Sequence, residues 1–316
     1  MSARYAIEIT PPDISMYRAG NTGVDYVHVF DSGRPGPNVM VQALTHGNEL
    51  CGAIALDWLM HLGIQPQIGQ LTLAFANVEA FARFDFNDPD RSRYIDEDYN
   101  RTWADEVLFG TRDTVETRRA RLLRPFVDAA DYLLDLHSMH ENCRPIMVCG
   151  TSEKSVAFAR KLGVPADLLI DTGHPAGLRM IERGGFGDAN NPRTAVLIEC
   201  GQHWEKSAAD VAIDTTVRFL EVTGMVDASF AAQHRRITPP ARQRLVRVTE
   251  AVVAKTMNFR FTGDYRGLEV FSQGALIATD GDAAWHAPYD DCVLVMPSLA
   301  HLKPGTTMVR LGRYAD

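Results

Sequence analysis

The feature that most constrains the fold is an alternation of short apolar segments with longer stretches of helical spacing, running from Asn38 to about Gly224. Apolar runs of about four to eight residues are typical of buried strands, whereas apolar residues that recur every three or four positions are typical of helices. Strands are predicted at Val39–Leu44, Leu71–Ala76, Tyr132–Leu136, Pro145–Cys149, Leu168–Asp171 and Thr194–Ile198. Helices are predicted at Leu50–Leu62, Thr114–Ala129, Glu153–Leu162 and Ala208–Val222. This order predicts an α/β fold with a mixed, mostly parallel sheet covered by helices.

The pattern changes after the segment "VTGMVDAS". Short β-like runs such as "GLEVFSQGALIA" and "TMVRLG" follow, separated by Gly, Asp and Pro. This spacing indicates several short strands joined by turns. We therefore expect two domains, a larger α/β domain over residues 1–225 and a smaller all-β domain over residues 226–316.

Composition excludes some classes of partner. The net charge of −8 argues against a general nucleic-acid binder, because phosphate contacts require clustered positive charge. The N-terminal segment has no secretory pattern, and no apolar run reaches the roughly 18 residues typical of a membrane span. The five cysteines include no CxxC pair, which argues against a disulfide framework or a cysteine-rich zinc site. A cytoplasmic protein is expected, and the sequence leaves homo-oligomer formation open.

The stretch "THGNELCG" lies between a predicted strand and a predicted helix. Its His46 and Glu49 are placed so that both side chains can converge on one point, as metal ligands do. The alternative is a polar loop in which Glu49 interacts with the positive end of the following helix. On this motif alone, both interpretations stay open.

Two further strands carry polar residues near their carboxyl ends. "DYLLDLH" ends at His137, and "TAVLIEC" carries Glu199. Ligands of open α/β sheets collect beyond the carboxyl ends of the strands, so residues far apart in sequence can meet there. We expect His137 and Glu199 to meet His46 and Glu49 at this edge.

Two histidines and one glutamate suit a catalytic zinc ion that keeps a position open for water. Zinc lowers the pKa of that water to about 7, and a nearby carboxylate, here Glu199, is needed to accept its proton. Strand alternation places Asp135 on the face of His137, where it can orient the imidazole, although a structural role is equally consistent. The same alternation turns Cys200 away from the site. Four other histidines do not lie at the carboxyl end of a predicted strand and are therefore weaker candidates for metal ligands. They are His140, His174, His203 and His286.

The loop "RSRYIDEDYNRTW" carries candidate substrate-binding groups. The guanidinium groups of Arg93 and Arg101 can bind a carboxylate or a developing oxyanion, and Asn100 adds a neutral donor. The alternative is a surface loop in which these arginines pair with the acidic residues between them, Asp96, Glu97 and Asp98.

Together, the motifs "THGNE", "RYIDEDYNR", "DLHS" and "LIECG" resemble those of the aspartoacylase and succinylglutamate desuccinylase family, relatives of the zinc carboxypeptidases. They occur in family order between Val39 and Gly201. The resemblance implies a zinc-carboxypeptidase-like α/β catalytic domain followed by a β-rich domain. It also implies one Zn²⁺ ion per chain, bound by three protein ligands. The implied zinc ligands are His46, Glu49 and His137.

The resemblance implies a role for each remaining motif residue. Glu199 is the general acid and base, Arg93 polarises the scissile carbonyl, and Asn100 with Arg101 holds the carboxylate of the substrate. The implied activity is hydrolysis of the amide bond of a small N-acyl amino acid, which releases a carboxylic acid and a free amino acid. Two alternatives are a zinc carboxypeptidase acting on short peptides and a non-catalytic metabolite-binding or metal-binding member of the fold.

The sequence departs from the family pattern at two positions. Tyr99 stands where aspartoacylases usually have leucine, and "DLHSM" replaces "DLHNT". Neither change removes a catalytic group. Family members that act on diacids use additional positive side chains. Candidates that the sequence leaves unassigned are Arg179, Arg183 and Arg193, with Tyr289 from the C-terminal part.

Overall fold

The predicted alternation of strands and helices is present in a computed structural model, which describes residues 5–171, 173 and 176–315. The strands are β1 (Val27–Asp31), β2 (Asn38–Ala43), β3 (Gln70–Phe75), β4 (Tyr132–Met139), β5 (Ile146–Val148), β6 (Asp167–Ile170), β7 (Thr194–Gln202), β8 (Arg244–Val253), β9 (Phe259–Phe261), β10 (Val270–Phe271), β11 (Leu276–Asp280), β12 (Ala283–His286), β13 (Cys292–Val295) and β14 (Thr307–Tyr314). The helices are α1 (Leu50–His61), α2 (Val78–Phe81), α3 (Asp105–Leu108), α4 (Val115–Ala129), α5 (Glu153–Leu162), α6 (Lys206–Val222) and α7 (Ala228–His234).

One large sheet organises the molecule, in the strand order β1-β3-β2-β4-β7-β5-β6-β8-β14-β13-β10. Strands β3, β2, β4 and β7 run parallel to one another, and β5 runs antiparallel to β7 but parallel to β6. The prediction of a mixed, mostly parallel sheet covered by helices is therefore confirmed for the α/β part. No helix among the described residues has both the length and the apolar character needed to cross a bilayer.

The two faces of the sheet have separate cores. Val39 and Val41 belong to the apolar cluster beneath α1, α5 and α6, whereas Met40 belongs to the cluster that includes Leu123 and Val127 of α4. This alternation follows from the two-residue repeat of a strand. The helices therefore hold the strands from both sides, and the carboxyl ends of β2, β4 and β7 stay at one edge.

The C-terminal strands are added to the same sheet. β8 pairs parallel with β6, and β14, β13 and β10 extend the edge in antiparallel order. Phe259, Ile277 and Leu294 belong to a third apolar cluster, which includes residues of the small sheet formed by β12, β11 and β9. The expected C-terminal β-strands are thus present, but the domain boundary near residue 226 stays a prediction.

Candidate active site

The turn between β2 and α1 positions His46 and Glu49. Gly47 lets this turn pack tightly, since a Cβ atom there would lie 2.4 Å from the backbone nitrogen of Phe81 and from the carbonyl oxygen of Ser92. The amide of Gly47 also donates to the carbonyl oxygen of Arg93, at 3.0 Å. The sequence around the turn therefore fixes its backbone against the loop that carries Arg93.

The imidazole of His137 reaches the same point from β4. Its Nδ1 atom lies 2.9 Å from Oε2 of Glu49, and Nδ1 of His46 lies 2.7 Å from Oε1 of Glu49. Candidate ligand atoms of His46, Glu49 and His137 all lie within 4.8 Å of one another, and the three residues are buried. The strand-end prediction that these residues meet is therefore fulfilled geometrically.

The partners on the far side of each ring differ. Nε2 of His137 lies 2.8 Å from Oδ2 of Asp135, and because a carboxylate oxygen only accepts, this Nε2 atom carries a proton and donates it. Nε2 of His46 lies 2.9 Å from Oδ1 of Asp98 but also 3.0 Å from Nη2 of Arg93, which donates. In a neutral ring, the Nδ1 lone pair of His137 is therefore directed at the carboxylate of Glu49. Two imidazole nitrogens and a carboxylate that face one another in this way form a donor set that fits a divalent metal such as zinc.

The electrostatics of the buried cluster agree with this requirement. Burial opposes ionisation of Glu49, but the two imidazoles outweigh it and hold the pKa of Glu49 well below its ordinary value. Burial likewise disfavours charge on His137, but the carboxylates of Asp135 and Glu49 raise the pKa of His137 well above its ordinary value. Positive charge is thus favoured at the point where the three side chains meet.

Glu199 lies beside this cluster on β7, as the register partner of His137. Its Oε2 atom is buried and has no hydrogen-bond partner among the described residues. Burial is the main cause that raises the pKa of Glu199, to about 8. A carboxyl group with this environment can hold or release a proton near neutral pH, as a general acid and base must.

Cys200 packs on the opposite face of the sheet. It belongs to the same apolar cluster as Ile198 and Cys51, and within the described residues it lies outside the candidate ligand cluster. This placement agrees with the alternation expected for the strand.

The loop that carries Arg93 closes the site on the side of β2. Arg93 is partly buried, with its guanidinium 3.3 Å from Oδ2 of Asp98 and 3.5 Å from Oε1 of Glu49. The surface-loop interpretation is thus correct about the pairing of Arg93 with Asp98, but Asp98 also orients His46. Sequence reasoning missed this second role, because three neighbouring acidic residues offered equal alternatives.

Asn100 and Arg101 lie in a 3₁₀ turn at Tyr99–Arg101. The side-chain oxygen of Asn100 accepts from the amide of Met180 at 3.1 Å, and Arg101 donates to the carbonyl oxygen of Asn100 at 2.7 Å. Among the described residues, no carboxylate forms an ion pair with Arg101 within 4.0 Å. Both side chains line the same cavity as the metal-ligand candidates.

This cavity measures about 200 Å³ and receives residues from both parts of the chain. The C-terminal part contributes Met296, Pro297, Ser298, His301 and Arg310. A larger open cleft of about 840 Å³ lies beside Arg101, but it contains none of the candidate metal ligands. The chemistry therefore belongs to the smaller cavity.

The arginines and the tyrosine that the sequence left unassigned have different positions. Arg179 lines the cavity and pairs with Asp171 and Glu182. The other three lie outside it: Arg183 pairs with Asp105 and Asp128, Arg193 donates to the carbonyl oxygens of Val127 and Ala130, and Tyr289 bonds Thr249. Sequence reasoning missed Arg310, because the position of the last strand depends on long-range pairing.

The remaining histidines are not equivalent. His140 and His203 line the cavity, where His140 lies 3.1 Å from Asp90 and His203 lies 2.8 Å from the hydroxyl of Ser138. Both are hydrogen-bonded, and His203 is buried beside the site. His286 is exposed on β12, and His174 lies outside the described residues.

Comparison with solved structures shows where this fold recurs. Succinylglutamate desuccinylase from Vibrio cholerae matches with a TM-score of 0.66 and 16% identity, covering 92% of this chain and 86% of that chain. The protein of the same name from Vibrio parahaemolyticus matches with a TM-score of 0.64 and 17% identity, covering 89% and 82%. At this identity, the likeness shows the fold alone.

Comparison of sequences finds relatives of higher identity for part of the chain. An N-acyl-aromatic-L-amino acid amidohydrolase (carboxylate-forming) of Rattus norvegicus is 32% identical over 133 residues, which cover 39% of this chain and 40% of that protein. The match thus spans about two fifths of the curated relative. A family model described as the succinylglutamate desuccinylase/aspartoacylase catalytic domain matches residues 35–219. Since this range is more than half of the sequence, the chain belongs to the succinylglutamate desuccinylase/aspartoacylase family.

Proposed function

We propose that the protein is a zinc-dependent amidohydrolase that cleaves the amide bond of a small N-acyl amino acid, releasing a carboxylic acid and a free amino acid. The observation that carries this proposal is the convergence of His46, Glu49 and His137 beside Glu199, whose Oε2 atom has no hydrogen-bond partner in the described part of the chain. The names of the family model and of the curated rat relative support the same reaction class.

In this proposal, His46, Glu49 and His137 hold the metal. When bound, a zinc ion supplies Lewis acidity and lowers the pKa of a water molecule that attacks the amide. Asp135 keeps the imidazole proton of His137 on Nε2, so that its Nδ1 atom stays available as a donor to the metal. Asp98 contacts Nε2 of His46 and helps to orient that ring.

Glu199 moves the proton. Its carboxylate accepts a proton from the attacking water, whose oxygen bonds to the carbonyl carbon, and then delivers that proton to the amide nitrogen as the carbon–nitrogen bond breaks. Arg93 donates hydrogen bonds to the carbonyl oxygen, which gains negative charge as water adds. One water is thus consumed, and one acid and one amine are formed.

Asn100 and Arg101 bind the carboxylate of the amino acid. Arg101 lines the cavity without a bonded carboxylate among the described residues, so its guanidinium is available for a charge-assisted pair with substrate. The cavity volume of about 200 Å³ favours a small substrate over an extended peptide. The residues that the C-terminal part contributes to the cavity lining further restrict the space for a long substrate.

The test is a hydrolysis screen with the zinc-loaded protein. N-acetyl, N-formyl and N-succinyl amino acids are compared with peptides of increasing length, and zinc is quantified in the same preparation. We expect stoichiometric zinc and turnover that falls steeply with peptide length. Stoichiometric metal without hydrolysis of any compound would refute the proposed activity, whereas efficient cleavage of longer peptides would favour a carboxypeptidase.

The cytoplasmic location expected from the sequence stays a prediction, which subcellular fractionation tests.

A further inference from the structure

The candidate active-site cavity has two chemically different ends. A guanidinium end carries Arg101, Arg179 and Arg310, and an imidazole end carries His140, His203 and His301. Arg93 adjoins both ends, since burial and the charge of Arg93 lower the pKa of Arg101 and the pKa of His203 alike. The next cationic contribution comes from Arg179 at Arg101, but from His140 at His203. Arg93 therefore lies between the guanidinium end and the imidazole end.

The ring of His203 is held in place at the imidazole end. Its Nδ1 atom lies 2.8 Å from the hydroxyl oxygen of Ser138, and the rings of His140 and Trp204 lie 6.1 and 5.6 Å from it, centre to centre. Among the described residues, the hydroxyl of Ser138 has no other acceptor, so it donates to Nδ1. Burial lowers the pKa of His203 to about 3, so the ring is neutral near pH 7. The single ring proton is therefore on Nε2.

The Nε2 atom of His203 is a donor that protein atoms leave unused. It has no hydrogen-bond partner in the described part of the chain, although the residue is buried and lines the cavity. A substrate that fills the cavity displaces water from this N–H group, and an unpaired buried donor is costly. A well-matched substrate must therefore place an acceptor opposite Nε2.

The charges at the imidazole end indicate which kind of acceptor fits. The carboxylates of Asp90 and Glu141 lie 3.1 and 3.4 Å from the one imidazole of His140. Two carboxylates thus share one cationic partner, and Glu141 lines the cavity beside His203. A further carboxylate here would be repelled, so an uncharged oxygen fits better than an ionised one.

Building on the proposed function, we propose that His203 is a specificity-determining residue whose Nε2–H group donates to an uncharged oxygen of the acyl group. With the substrate carboxylate at Arg101 and the scissile carbonyl at Arg93, the rest of the acyl group extends past Arg93 toward His203. The substrate class is then an N-acyl amino acid whose short acyl group carries a hydroxyl or ether oxygen. A plain alkyl chain would leave the donor unpaired.

The experiment compares acyl groups of equal size. N-glycolyl is paired with N-propionyl, which has a methyl group in place of the hydroxyl, and N-methoxyacetyl is paired with N-butyryl, which has a methylene group in place of the ether oxygen. Each acyl group is attached to glutamate and to phenylalanine, so that the amino-acid side chain does not decide the result.

Three variants at one position separate the donor from the packing of the ring. His203→Met and His203→Asn both remove the donor, but the asparagine keeps a polar partner for Ser138. His203→Gln can return an N–H group to the place of Nε2. His286→Met is the control, because His286 is exposed on β12 and lies outside the cavity. Zinc is quantified in every sample.

We expect the unmodified protein to prefer the oxygen-containing member of at least one pair by about three- to tenfold in kcat/KM, as for one neutral hydrogen bond. His203→Met and His203→Asn should abolish this preference, His203→Gln should restore part of it, and His286→Met should retain it. Equal use of both members of each pair by the unmodified protein, or an unchanged preference in His203→Asn, would overturn the inference while leaving the proposed function intact. Preference for an N-malonyl over an N-glycolyl compound would also overturn it, because malonyl places a charge at the imidazole end.

A binding measurement separates the inference from the proposed reaction. N-glycolylglutamate and N-propionylglutamate are titrated calorimetrically into the zinc-loaded Glu199→Gln protein, with and without His203→Asn, which needs no turnover. Binding of the glycolyl compound that is about three- to tenfold tighter, and that His203→Asn makes equal, would support the inference even if no compound is hydrolysed. Equal binding of both compounds to the Glu199→Gln protein, or binding of neither, would overturn it.

Discussion

His137 on β4 and Glu199 on β7 are register partners in neighbouring parallel strands. Partners in such a pair direct their side chains to the same face of the sheet, so the candidate metal ligand and the candidate proton carrier are held side by side by backbone hydrogen bonds. Leu136 and Ile198, one residue earlier in each strand, both belong to the core on the opposite face. The rigid sheet thus fixes the geometry on which the proposed chemistry depends.

The first prediction concerns Glu199. Glu199→Gln keeps the size of the side chain but removes its ability to accept a proton, so we expect kcat to fall by about 10²–10⁴-fold. Zinc content and thermal stability should stay close to those of the unmodified protein, because Glu199 is outside the candidate ligand cluster. Near-normal turnover, measured with zinc quantified in the same sample, would contradict the proposed role.

The second prediction concerns the carboxylates behind the imidazoles. Asp135→Asn removes the acceptor that holds the Nε2 proton of His137, so we expect zinc affinity to fall by about 10–100-fold. Competition with a chelator measures this change without any assay of turnover. Asp88→Asn, at an exposed loop position, is the control and should retain zinc. Equal zinc affinity in both variants would show that Asp135 has no orienting role.

The third prediction concerns Arg93. Arg93→Met removes the donor proposed to stabilise negative charge on the carbonyl oxygen, so we expect kcat to fall by about 10²–10³-fold with a smaller change in KM. Arg93→Lys should recover part of the loss, because it restores the charge but not the paired donors. A change confined to KM, measured by steady-state kinetics, would instead assign Arg93 to substrate binding alone.

Much of this arrangement could be predicted from the sequence, since local patterns dominate it. The helix at Glu153–Leu162 has the predicted bounds, because its apolar spacing is strong and Gly163 follows with a φ of 75°. By contrast, β4 and β7 extend further than predicted. The apolar runs stop near His137 and Glu199, but backbone pairing continues through these two polar residues, both of which line the cavity.

Other parts of the candidate site depend on tertiary contacts that the local sequence pattern does not predict. Asp98 was indistinguishable from its acidic neighbours until the fold placed it 2.9 Å from His46. Arg310 enters the cavity only because β14 pairs with β8, which in turn pairs with β6. The sequence suggested Tyr289 as the C-terminal contribution, whereas this side chain lies against Thr249 outside the cavity.

The fourth prediction concerns pH and His140. Burial disfavours charge on this imidazole, but hydrogen bonds to Asp90 and Glu141 outweigh it and raise the pKa of His140 to about 9, from an ordinary value of 6.5. Because the folded pKa lies above the unfolded one, the stabilisation is fully present below about pH 6.5 and is lost as the pH rises to about 9.

We expect this interaction to contribute about 1–2 kcal/mol below pH 6.5, after allowance for solvent screening. His140→Gln should therefore flatten the decline in the free energy of unfolding between pH 6.5 and 9, as measured by urea denaturation of the zinc-loaded protein. His286→Gln, at an exposed position, should keep the slope of the unmodified protein. Parallel curves for all three proteins would contradict the assignment.

The fifth prediction concerns Gly47, whose tight packing sets the path of the turn between His46 and Glu49. Gly47→Ala would place a methyl group 2.4 Å from two backbone atoms, and neither Phe81 nor Ser92 can relieve that contact by rotating a side chain. The turn must move instead, so we expect a loss of about 1–3 kcal/mol in stability together with weaker zinc binding. Gly33→Ala is the control: its Cβ meets no atom within 4 Å, and only its φ of 68° opposes the substitution. That variant should lose about 1 kcal/mol in urea denaturation and bind zinc normally. If Gly47→Ala retained full zinc affinity, the turn would not be what aligns the two ligands, and their convergence would have to be attributed to the sheet and α1 alone.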